Sequence, residues 1–264
     1  MKALIKIGGT LLDSAESRLR LAAEIGQAVE GGLEAVVVHG GGKQMTRFLE
    51  ERGVESRFVN GLRVTTPDVL DAVLKIFAGS VNRELVAAFI AKGMQAVGLT
   101  GMDGLLTEAR QMNAELGFVG RPVRSDARLL NLLLQGAYLP VVACVAGDGQ
   151  GQFYNVNADQ MAASVASAMQ AEKLFFLTDV DGVWNKEKVI YRAITIDKCK
   201  MLIETGTANA GMQAKLEAAI EALRLGVAEV VIAPGGVTGI IGGLLSGNHI
   251  GTRIVAEIGV LSNG

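Results

Sequence analysis

The chain has 264 residues, half of them apolar and a fifth charged, with a formal net charge of −2. This composition is typical of a globular protein with a sizeable core and argues against extensive disorder. Because the chain carries no overall basic charge, we expect neither nucleic acid nor an acidic membrane surface as a partner.

Cysteine usage and the pattern of apolar runs favour a cytoplasmic protein. Neither cysteine has another Cys or a His nearby at metal-ligand spacing, so we predict neither a disulfide framework nor a metal site. Cys144 lies in an apolar run and is expected in the core, whereas Cys199 lies between two lysines and is expected on a helix surface. No signal peptide and no apolar run of about 18 residues is evident, so we expect no membrane span.

The predicted elements alternate between short apolar runs and longer amphipathic stretches. In chain order they are a strand at 3–7, a helix at 15–30, a strand at 35–38, helices at 44–51 and 67–91, a strand at 96–99, a hairpin of 105–109 with 118–123, a helix at 127–134, a strand at 139–145, a helix at 158–171, a strand at 173–177, a helix at 212–225 and a strand at 229–233. Thr66 and Pro67 suit the start of the long helix and Gly93 its end. This alternation predicts the α/β class, with a mostly parallel central sheet covered by helices on both faces.

Glycines cluster directly after predicted strands, where ligands of open α/β sheets bind. In Lys6-Ile7-Gly8-Gly9-Thr10, the lysine is costly to bury without an anionic partner. Gly8 and Gly9 let the backbone approach a ligand closely, and they expose N–H groups that can bind anions. A solvent-facing Lys6 before a tight turn is equally compatible with the residues alone.

His39-Gly40-Gly41-Gly42-Lys43 joins a strand to a helix and so presents backbone N–H groups at a helix N-terminus. It is not a Walker A loop, because Val37 and Gln44 occupy the required glycine and Ser/Thr positions. It is not a dinucleotide fingerprint either, because Met45 stands at the third glycine position, so a dehydrogenase is not indicated. We interpret His39, at a strand end, as structural.

Arg63 follows the Asn60-Gly61 turn, and its planar fork suits a carboxylate, although the residues alone favour a surface arginine. Asn155 and Asn157 alternate on one face of an extended stretch. Asp159 falls in the first turn of the next helix, where the helix dipole favours a carboxylate.

Two further segments follow in the second half of the chain. Thr178-Asp179-Val180-Asp181-Gly182-Val183 ends a strand in a tight turn, as a nucleotide-binding strand end would. Lys215 lies one turn into a helix, where it either points inward or snorkels to the surface.

These motifs together resemble those of the amino acid kinase family, in order and over nearly the whole chain. They are Lys6-Ile7-Gly8-Gly9, His39-Gly40-Gly41-Gly42, Asn60-Gly61-Leu62-Arg63-Val64-Thr65, Gly117-Phe118-Val119-Gly120, Asn155-Val156-Asn157-Ala158-Asp159-Gln160, Thr178-Asp179-Val180-Asp181-Gly182-Val183, Gly211-Met212 with Lys215, and Gly251-Thr252-Arg253. The Asn-Val-Asn-Ala-Asp form is most similar to members that phosphorylate N-acetyl-L-glutamate in arginine biosynthesis. The resemblance implies a three-layer α/β/α sandwich, in which residues 1–170 bind the acyl amino acid and dimerise and residues 171–264 bind ATP.

The resemblance also implies roles for single residues. Lys6 and Lys215 match lysines that stabilise the transferring phosphoryl group, and Asp159 matches the aspartate that orients both. The implied substrate-binding residues are Gly41, Gly42, Arg63, Asn155 and Asn157. The implied ATP-binding residues are Gly8, Gly9, Asp179, Val180, Asp181, Gly182, Val183, Trp184, Thr207, Ala208 and Asn209. ATP is expected to enter with Mg²⁺ held mainly by the nucleotide phosphates.

The implied reaction transfers a phosphoryl group from ATP to a side-chain carboxylate and gives an acyl phosphate. Because the carboxylate is already ionised at pH 7, no general base is needed, and catalysis consists of positioning and charge stabilisation. The implied assembly is a homodimer joined through the helix at 67–91. Because arginine inhibition in the family goes with an extra helix ahead of the first strand, we expect none here.

Two alternatives stay open. A family member that phosphorylates aminoadipate on a small acidic carrier protein, in lysine biosynthesis, would need a basic rim. Arg121, Arg124 and Arg128 are candidates, although such a run is more often a solvated face. A non-catalytic sensor of amino acids or nucleotides would tolerate loss of the charge-stabilising residues, all of which are present.

Overall fold

The structure is a computed structural model that describes residues 1–208 and 210–257. Its strands are β1 (Lys2–Ile7), β2 (Glu34–His39), β3 (Phe58–Val59), β4 (Leu62–Arg63), β5 (Ala96–Thr100), β6 (Thr107–Gln111), β7 (Val119–Ser125), β8 (Leu139–Ala143), β9 (Val145–Gly147), β10 (Phe153–Val156), β11 (Lys173–Thr178), β12 (Ala193–Thr195), β13 (Glu229–Pro234) and β14 (Thr252–Val255). Its α-helices are α1 (Ala15–Glu30), α2 (Gly42–Glu50), α3 (Pro67–Val73), α4 (Asn82–Ile90), α5 (Arg128–Gln135), α6 (Ala158–Ala168), α7 (Ile196–Glu204), α8 (Ala210–Arg224) and α9 (Ile240–Leu245).

Eight strands form one central sheet in the order β12-β14-β13-β11-β1-β2-β8-β5. Neighbouring strands are parallel except β13 with β14. Among the helices, α1 packs against α4 and α9, and α6 packs against α8. The apolar residues of β1 and β2 are buried throughout, as expected for parallel strands covered on both faces. The predicted α/β/α sandwich with a mostly parallel sheet is confirmed.

The long helix predicted at 67–91 is present, with one unpredicted feature in its middle. The Thr66 hydroxyl accepts a hydrogen bond from the Val69 N–H, and Pro67 is the first helical residue. A π-helical segment, Leu74–Val81, then joins α3 to α4. Beyond the helix, Gly93 has a φ of +84°, the left-handed conformation that terminates helices.

Two local predictions are wrong. The strand predicted at 139–145 divides at Cys144, because β8 pairs with β2 and β5 whereas β9 leaves the main sheet to pair with β10. Cys144 is buried, as predicted. Cys199 lies on α7, but it is fully buried and not on the surface. Its flanking lysines occupy the outer side, where Lys200 forms an ion pair with Asp197.

A small closed barrel of β6, β7, β9 and β10 stands beside the central sheet. The predicted hairpin is its antiparallel β6–β7 pair. β7 also pairs with β10, which sets Val119 beside Asn155. The barrel thus fixes the extended segment that leads into α6.

The central sheet draws four strands from before residue 170 and four from after it, and β1 meets β11 at the junction. The lobe boundary at 170/171 stays a prediction. Within the described part of the chain, no helix combines the length and apolar character needed to cross a membrane.

Candidate active site

A buried carboxylate bridges two lysines beyond the carboxyl end of β1. The Lys6 Nζ lies 2.8 Å from the Asp159 Oδ1, and the Lys215 Nζ lies 3.2 Å from the Asp159 Oδ2. Asp159 is only 5% exposed and Lys6 only 6%. Charges this deep are costly to desolvate and are retained only where they are paired. The structure therefore brings together the three residues that the sequence singled out from β1, α6 and α8.

Asp159 is set in place by its own helix. The Asn157 side-chain oxygen accepts hydrogen bonds from the N–H groups of Asp159 (2.9 Å) and Gln160 (3.2 Å), so Asn157 is the N-cap of α6. Burial alone would raise the pKa of Asp159, but Lys6 and Lys215 outweigh burial and hold that pKa below its ordinary value. Asp159 is therefore an anion at neutral pH and keeps two ammonium groups close together.

A cavity of about 330 Å³ opens on the Lys215 side of this cluster. Its lining is Thr178, Asp179, Val180, Val183, Trp184, Leu202, Thr207, Ala208, Gly211, Met212 and Lys215. Six of the residues predicted to bind ATP are among them. Among the described residues, the lining does not include Asp181 and Gly182. Asn209 lies outside the described residues.

Gly8 lies next to Lys6 of the charged cluster, and Gly9 lies next to Asp179, which lines this cavity. A Cβ on Gly8 would collide with the Lys6 ammonium, and a Cβ on Gly9 would lie 3.3 Å from the Asp179 carboxylate. Gly9 also has a φ of +62°, which favours glycine. The Gly8 N–H donates to the Leu177 carbonyl at 3.1 Å and so belongs to the sheet. These glycines serve the site by leaving room for Lys6 and Asp179, and Gly8 does not offer a free N–H.

A second cavity, of about 180 Å³, lies near the cluster. Its lining is Gly40, Gly41, Gly42, Phe58, Gly61, Leu62, Arg63, Phe77, Val119, Cys144, Asn155, Val156, Asn157 and Ala158. All five predicted substrate-binding residues are in this lining. Ala158, which lines this cavity, directly precedes Asp159, and Lys215 lines the first cavity, so the charged cluster is close to both cavities.

Arg63 is buried, contrary to the surface position that the residues alone favoured. Its guanidinium donates to the Ser56 hydroxyl, to the Thr46 hydroxyl at 2.7 Å and to the Gly42 carbonyl at 3.1 Å. It also stacks 4.6 Å from the centre of the Phe58 ring. The arginine is thus held in one orientation at the wall of the second cavity, and the Nε hydrogen and one Nη1 hydrogen are left to donate to an anion.

Asn155 is held by the segment that contains Arg63. Its side-chain N–H donates to the Thr65 hydroxyl at 3.0 Å, and that hydroxyl donates to the Arg63 carbonyl at 2.9 Å. The barrel strand β10 and the β4 segment are thereby fixed to each other. Asn155 keeps its side-chain oxygen and a second N–H for the cavity that it lines.

Several contributing residues carry no sequence signal. The Thr46 and Ser56 hydroxyls orient Arg63 without belonging to a motif. Leu202 and Phe77 line the two cavities, but on helices, where periodicity does not distinguish cavity walls from core. Only distances between distant parts of the chain identify them.

The arginines considered for a basic rim are exposed, and two of them have acidic neighbours. Arg124 lies 3.5 Å from Glu108, and Arg128 lies 2.8 Å from Asp126. These neighbours reduce the positive charge of the face that an acidic carrier protein would need.

The described residues contain no group of three or more His, Cys, Asp or Glu side chains that could hold a metal ion. Asp179 is the carboxylate in the lining of the first cavity. Its Oδ1 accepts a hydrogen bond from the Thr178 hydroxyl at 3.2 Å.

The arrangement is that of a phosphotransferase, and the chain belongs to the amino acid kinase family, whose sequence profile matches residues 1–234. It is 57% identical over 255 residues to a protein of Solibacter usitatus (strain Ellin6076) named acetylglutamate kinase, an alignment that covers 97% of this chain and 99% of that protein. It is 40% identical over 260 residues to a protein of the same name from Acidobacterium capsulatum, with 97% of this chain and 100% of that protein covered.

Among solved structures, the chain is similar to N-acetylglutamate synthase from Neisseria gonorrhoeae in complex with coenzyme A and N-acetyl-glutamate. The two share 27% identity with a TM-score of 0.87. The match covers 98% of this chain but only 60% of the synthase chain. The similarity therefore concerns one part of that longer protein.

Proposed function

We propose that this protein is an ATP-dependent acetylglutamate kinase, which phosphorylates the side-chain carboxylate of N-acetyl-L-glutamate for arginine biosynthesis. The observation that carries the proposal is the Lys6–Asp159–Lys215 cluster close to two cavities. Relatives of that name align over nearly the whole chain, and they support the choice of substrate.

The two cavities suit the two substrates. The first is mainly apolar, with Trp184 and Val183 for a nucleobase and Lys215 for phosphates. The second holds Arg63, whose charge and remaining N–H groups suit the α-carboxylate of an acylated amino acid, and Asn155, which can accept and donate. Because the charged cluster is close to both cavities, the γ-phosphate and the side-chain carboxylate would meet at the lysines.

The reaction follows from this arrangement. A carboxylate oxygen of N-acetylglutamate attacks the γ-phosphorus, a new P–O bond forms, the bond to the β,γ-bridging oxygen breaks, and ADP leaves with that electron pair. No proton moves, because the carboxylate is ionised at pH 7. Lys6 and Lys215 stabilise the negative charge on the transferring group, and Asp159 keeps both ammonium groups in position.

The residues present fit a nucleotide that arrives with Mg²⁺. Asp179 would repel a bare triphosphate in the first cavity, and a cation on the phosphates removes that repulsion. When bound, the ion neutralises charge on the β- and γ-phosphates. Asp179 is the residue of this chain that would face it.

The test is formation of an acyl phosphate from ATP and N-acetylglutamate, trapped with hydroxylamine. We expect a hydroxamate in wild type, and no comparable signal with N-acetylglutamine, which lacks the nucleophilic carboxylate. ATP binding is followed separately through Trp184, the single tryptophan of the chain, which lines the first cavity.

Other outcomes would redirect the proposal. A hydroxamate only from acylated aminoadipate, free or on its carrier protein, would move the substrate to lysine biosynthesis. ATP binding without turnover of any acylated dicarboxylate would favour the sensor function.

We further propose a cytoplasmic homodimer joined through the helical run at 67–91. The strand β5 ends the central sheet, α4 packs against it, and the Ile90 side chain on α4 is 57% exposed. Both cysteines are buried free thiols, which agrees with a reducing compartment. Light scattering should give twice the chain mass of 27.6 kDa, and the mass of a hexamer would contradict the dimer.

A further inference from the structure

The glycine loop that lines the second cavity is held at its first carbonyl by a buried histidine. His39 ends β2 and is completely buried, and its Nδ1 lies 2.8 Å from the Gly40 carbonyl oxygen. A carbonyl oxygen only accepts, so Nδ1 carries the hydrogen. The His39 Nε2 lies 2.9 Å from the Asn82 side-chain nitrogen.

The orientation of the Asn82 amide fixes the tautomer of His39. The Asn82 nitrogen also donates to the Val141 carbonyl at 2.9 Å, and the Asn82 oxygen accepts from the Arg83 guanidinium. The Asn82 nitrogen is therefore a donor to His39, and Nε2 must be unprotonated. Burial, the largest influence, lowers the pKa of His39 to about 4, and Arg83 adds to this while the Gly40 contact opposes it. His39 is thus a neutral imidazole with a hydrogen on Nδ1.

The helical run that contains Asn82 also packs against the glycine loop. Asn82 begins α4, directly after the π-helical segment Leu74–Val81. A Cβ on Gly41 would lie 2.8 Å from Phe77 and 3.2 Å from Val81, so both side chains touch the loop backbone. Interrupted helices of this kind often occur at functional sites.

The other end of the loop is held from the opposite side. Arg63 donates to the Gly42 carbonyl, while His39 donates to the Gly40 carbonyl. Gly41 is the N-cap of α2 and Gly42 its first residue, so their N–H groups have no acceptor within the helix. Two carbonyls are therefore fixed by donors, and two N–H groups are left for a ligand in the second cavity.

We propose that His39 is a positioning residue for phosphoryl transfer, which holds the Gly40 carbonyl so that the Gly41 and Gly42 N–H groups face the reacting carboxylate and phosphoryl group. The inference rests on the proposed function and adds to it a residue behind the site. The three glycines line the second cavity, whereas His39 is not among its described lining residues. His39 acts through Gly40 and touches no substrate.

Two substitutions of His39 separate its two hydrogen bonds. An asparagine places its amide N–H near the position of Nδ1, so His39→Asn keeps a donor for Gly40. A glutamine places its amide near Nε2, so His39→Gln keeps the Asn82 side but loses the donor to Gly40. We expect His39→Gln to lower kcat about 10²-fold, as small misplacements of catalytic groups do. His39→Asn should retain most of the wild-type kcat, and both variants should bind ATP normally by Trp184 fluorescence.

Several results would overturn the inference. His39 would be a purely structural residue if wild type is active and both variants lose kcat equally, in proportion to their fall in melting temperature. An unaffected His39→Gln would do the same. Should neither variant fold, ¹⁵N spectra of wild type decide, because only two histidines contribute and a hydrogen on the His39 Nε2 would refute the contact. A folded wild type without N-acetylglutamate turnover would instead refute the proposed function, and this inference with it.

Discussion

Two carboxylates in this molecule each sit between two cations, at opposite ends of the central strands. Asp159 bridges Lys6 and Lys215 beyond the carboxyl end of β1. Glu229 begins β13 and pairs with Lys173, the first residue of β11, and with Arg253 of β14. The carboxylates are similarly buried, but the cations are not. The side chains of Lys6 and Lys215 are 8% and 14% exposed, against 23% and 40% for Lys173 and Arg253.

We propose that this difference in exposure separates a reactive cluster from a structural one. Cations that reach water are screened, and their pairing adds modestly to stability. Lys6 and Lys215 are largely desolvated, and Lys215 lines the first cavity. The N–H groups that these lysines do not donate to Asp159 are available to an incoming anion. The comparison predicts that charge removal at the first cluster affects chiefly the reaction, and at the second chiefly the fold.

The largest effect is expected from removing a lysine of the Asp159 cluster. Lys6→Met and Lys215→Met keep most of the side-chain volume but remove the charge that stabilises the transferring group. We expect kcat to fall about 10²–10³-fold in the hydroxamate assay. Lys173→Met is the matched control and should leave kcat near the wild-type value. A loss of the same size in the control would end the distinction between the two clusters.

The next largest effect is expected at the wall of the second cavity. Arg63→Lys keeps the charge but loses the fork, and charge-assisted hydrogen bonds contribute about 1.5–3 kcal/mol each. We expect KM for N-acetylglutamate to rise about 10–100-fold, at 1.4 kcal/mol per tenfold. ATP binding through Trp184 should not change. Arg47→Lys, on the exposed face of α2, is the control, and an equal effect there would remove the special role of Arg63.

A smaller effect is expected in acid stability. Because the folded-state pKa of Asp159 is depressed, its ionised form stabilises the fold above the ordinary carboxyl pKa of about 3.9. This contribution is lost as the pH falls from there through the lowered pKa. In urea unfolding, the stability advantage of wild type over Asp159→Asn should therefore shrink below about pH 4. An advantage that is constant or grows in acid would contradict the depressed pKa.

The smallest effect is expected for the stability of the control cluster. Lys173→Met leaves Glu229 paired with Arg253, so the free energy of unfolding should fall by about 1 kcal/mol or less. Chemical unfolding measures it. A much larger loss would show that the exposed cluster is as tightly coupled as the buried one.

The fold could be predicted from the sequence because its signals are local, whereas the charged cluster is predicted only through the resemblance of its motifs to the family. Alternating apolar runs predict the parallel sheet, and Thr66 and Pro67 mark a helix start that the structure confirms. Lys6 and Asp159 follow from motifs at strand and helix ends. The surface position predicted for Cys199 was wrong. The prediction was based on the two flanking lysines and not on the face of the helix to which Cys199 belongs.

The remaining features depend on contacts between distant parts of the chain. The burial of Arg63 follows from hydroxyls on two other segments, Thr46 and Ser56. The contact between His39 and Asn82 spans 43 residues, and Asn82 directly follows a π-helical segment that no propensity predicts. Side chains that act across such separations are identified by distances in the folded chain.

The most direct test compares the two carboxylates themselves. Asp159→Asn and Glu229→Gln each remove one negative charge with little change in shape, and single-turnover transfer of the ATP γ-phosphoryl group to N-acetylglutamate is measured in both. The account predicts a loss of about 10²-fold or more for Asp159→Asn, because the lysines lose their common anion. Glu229→Gln should transfer at close to the wild-type rate. Equal losses in both variants, or an unimpaired Asp159→Asn, would contradict the assignment of the chemistry to the buried cluster.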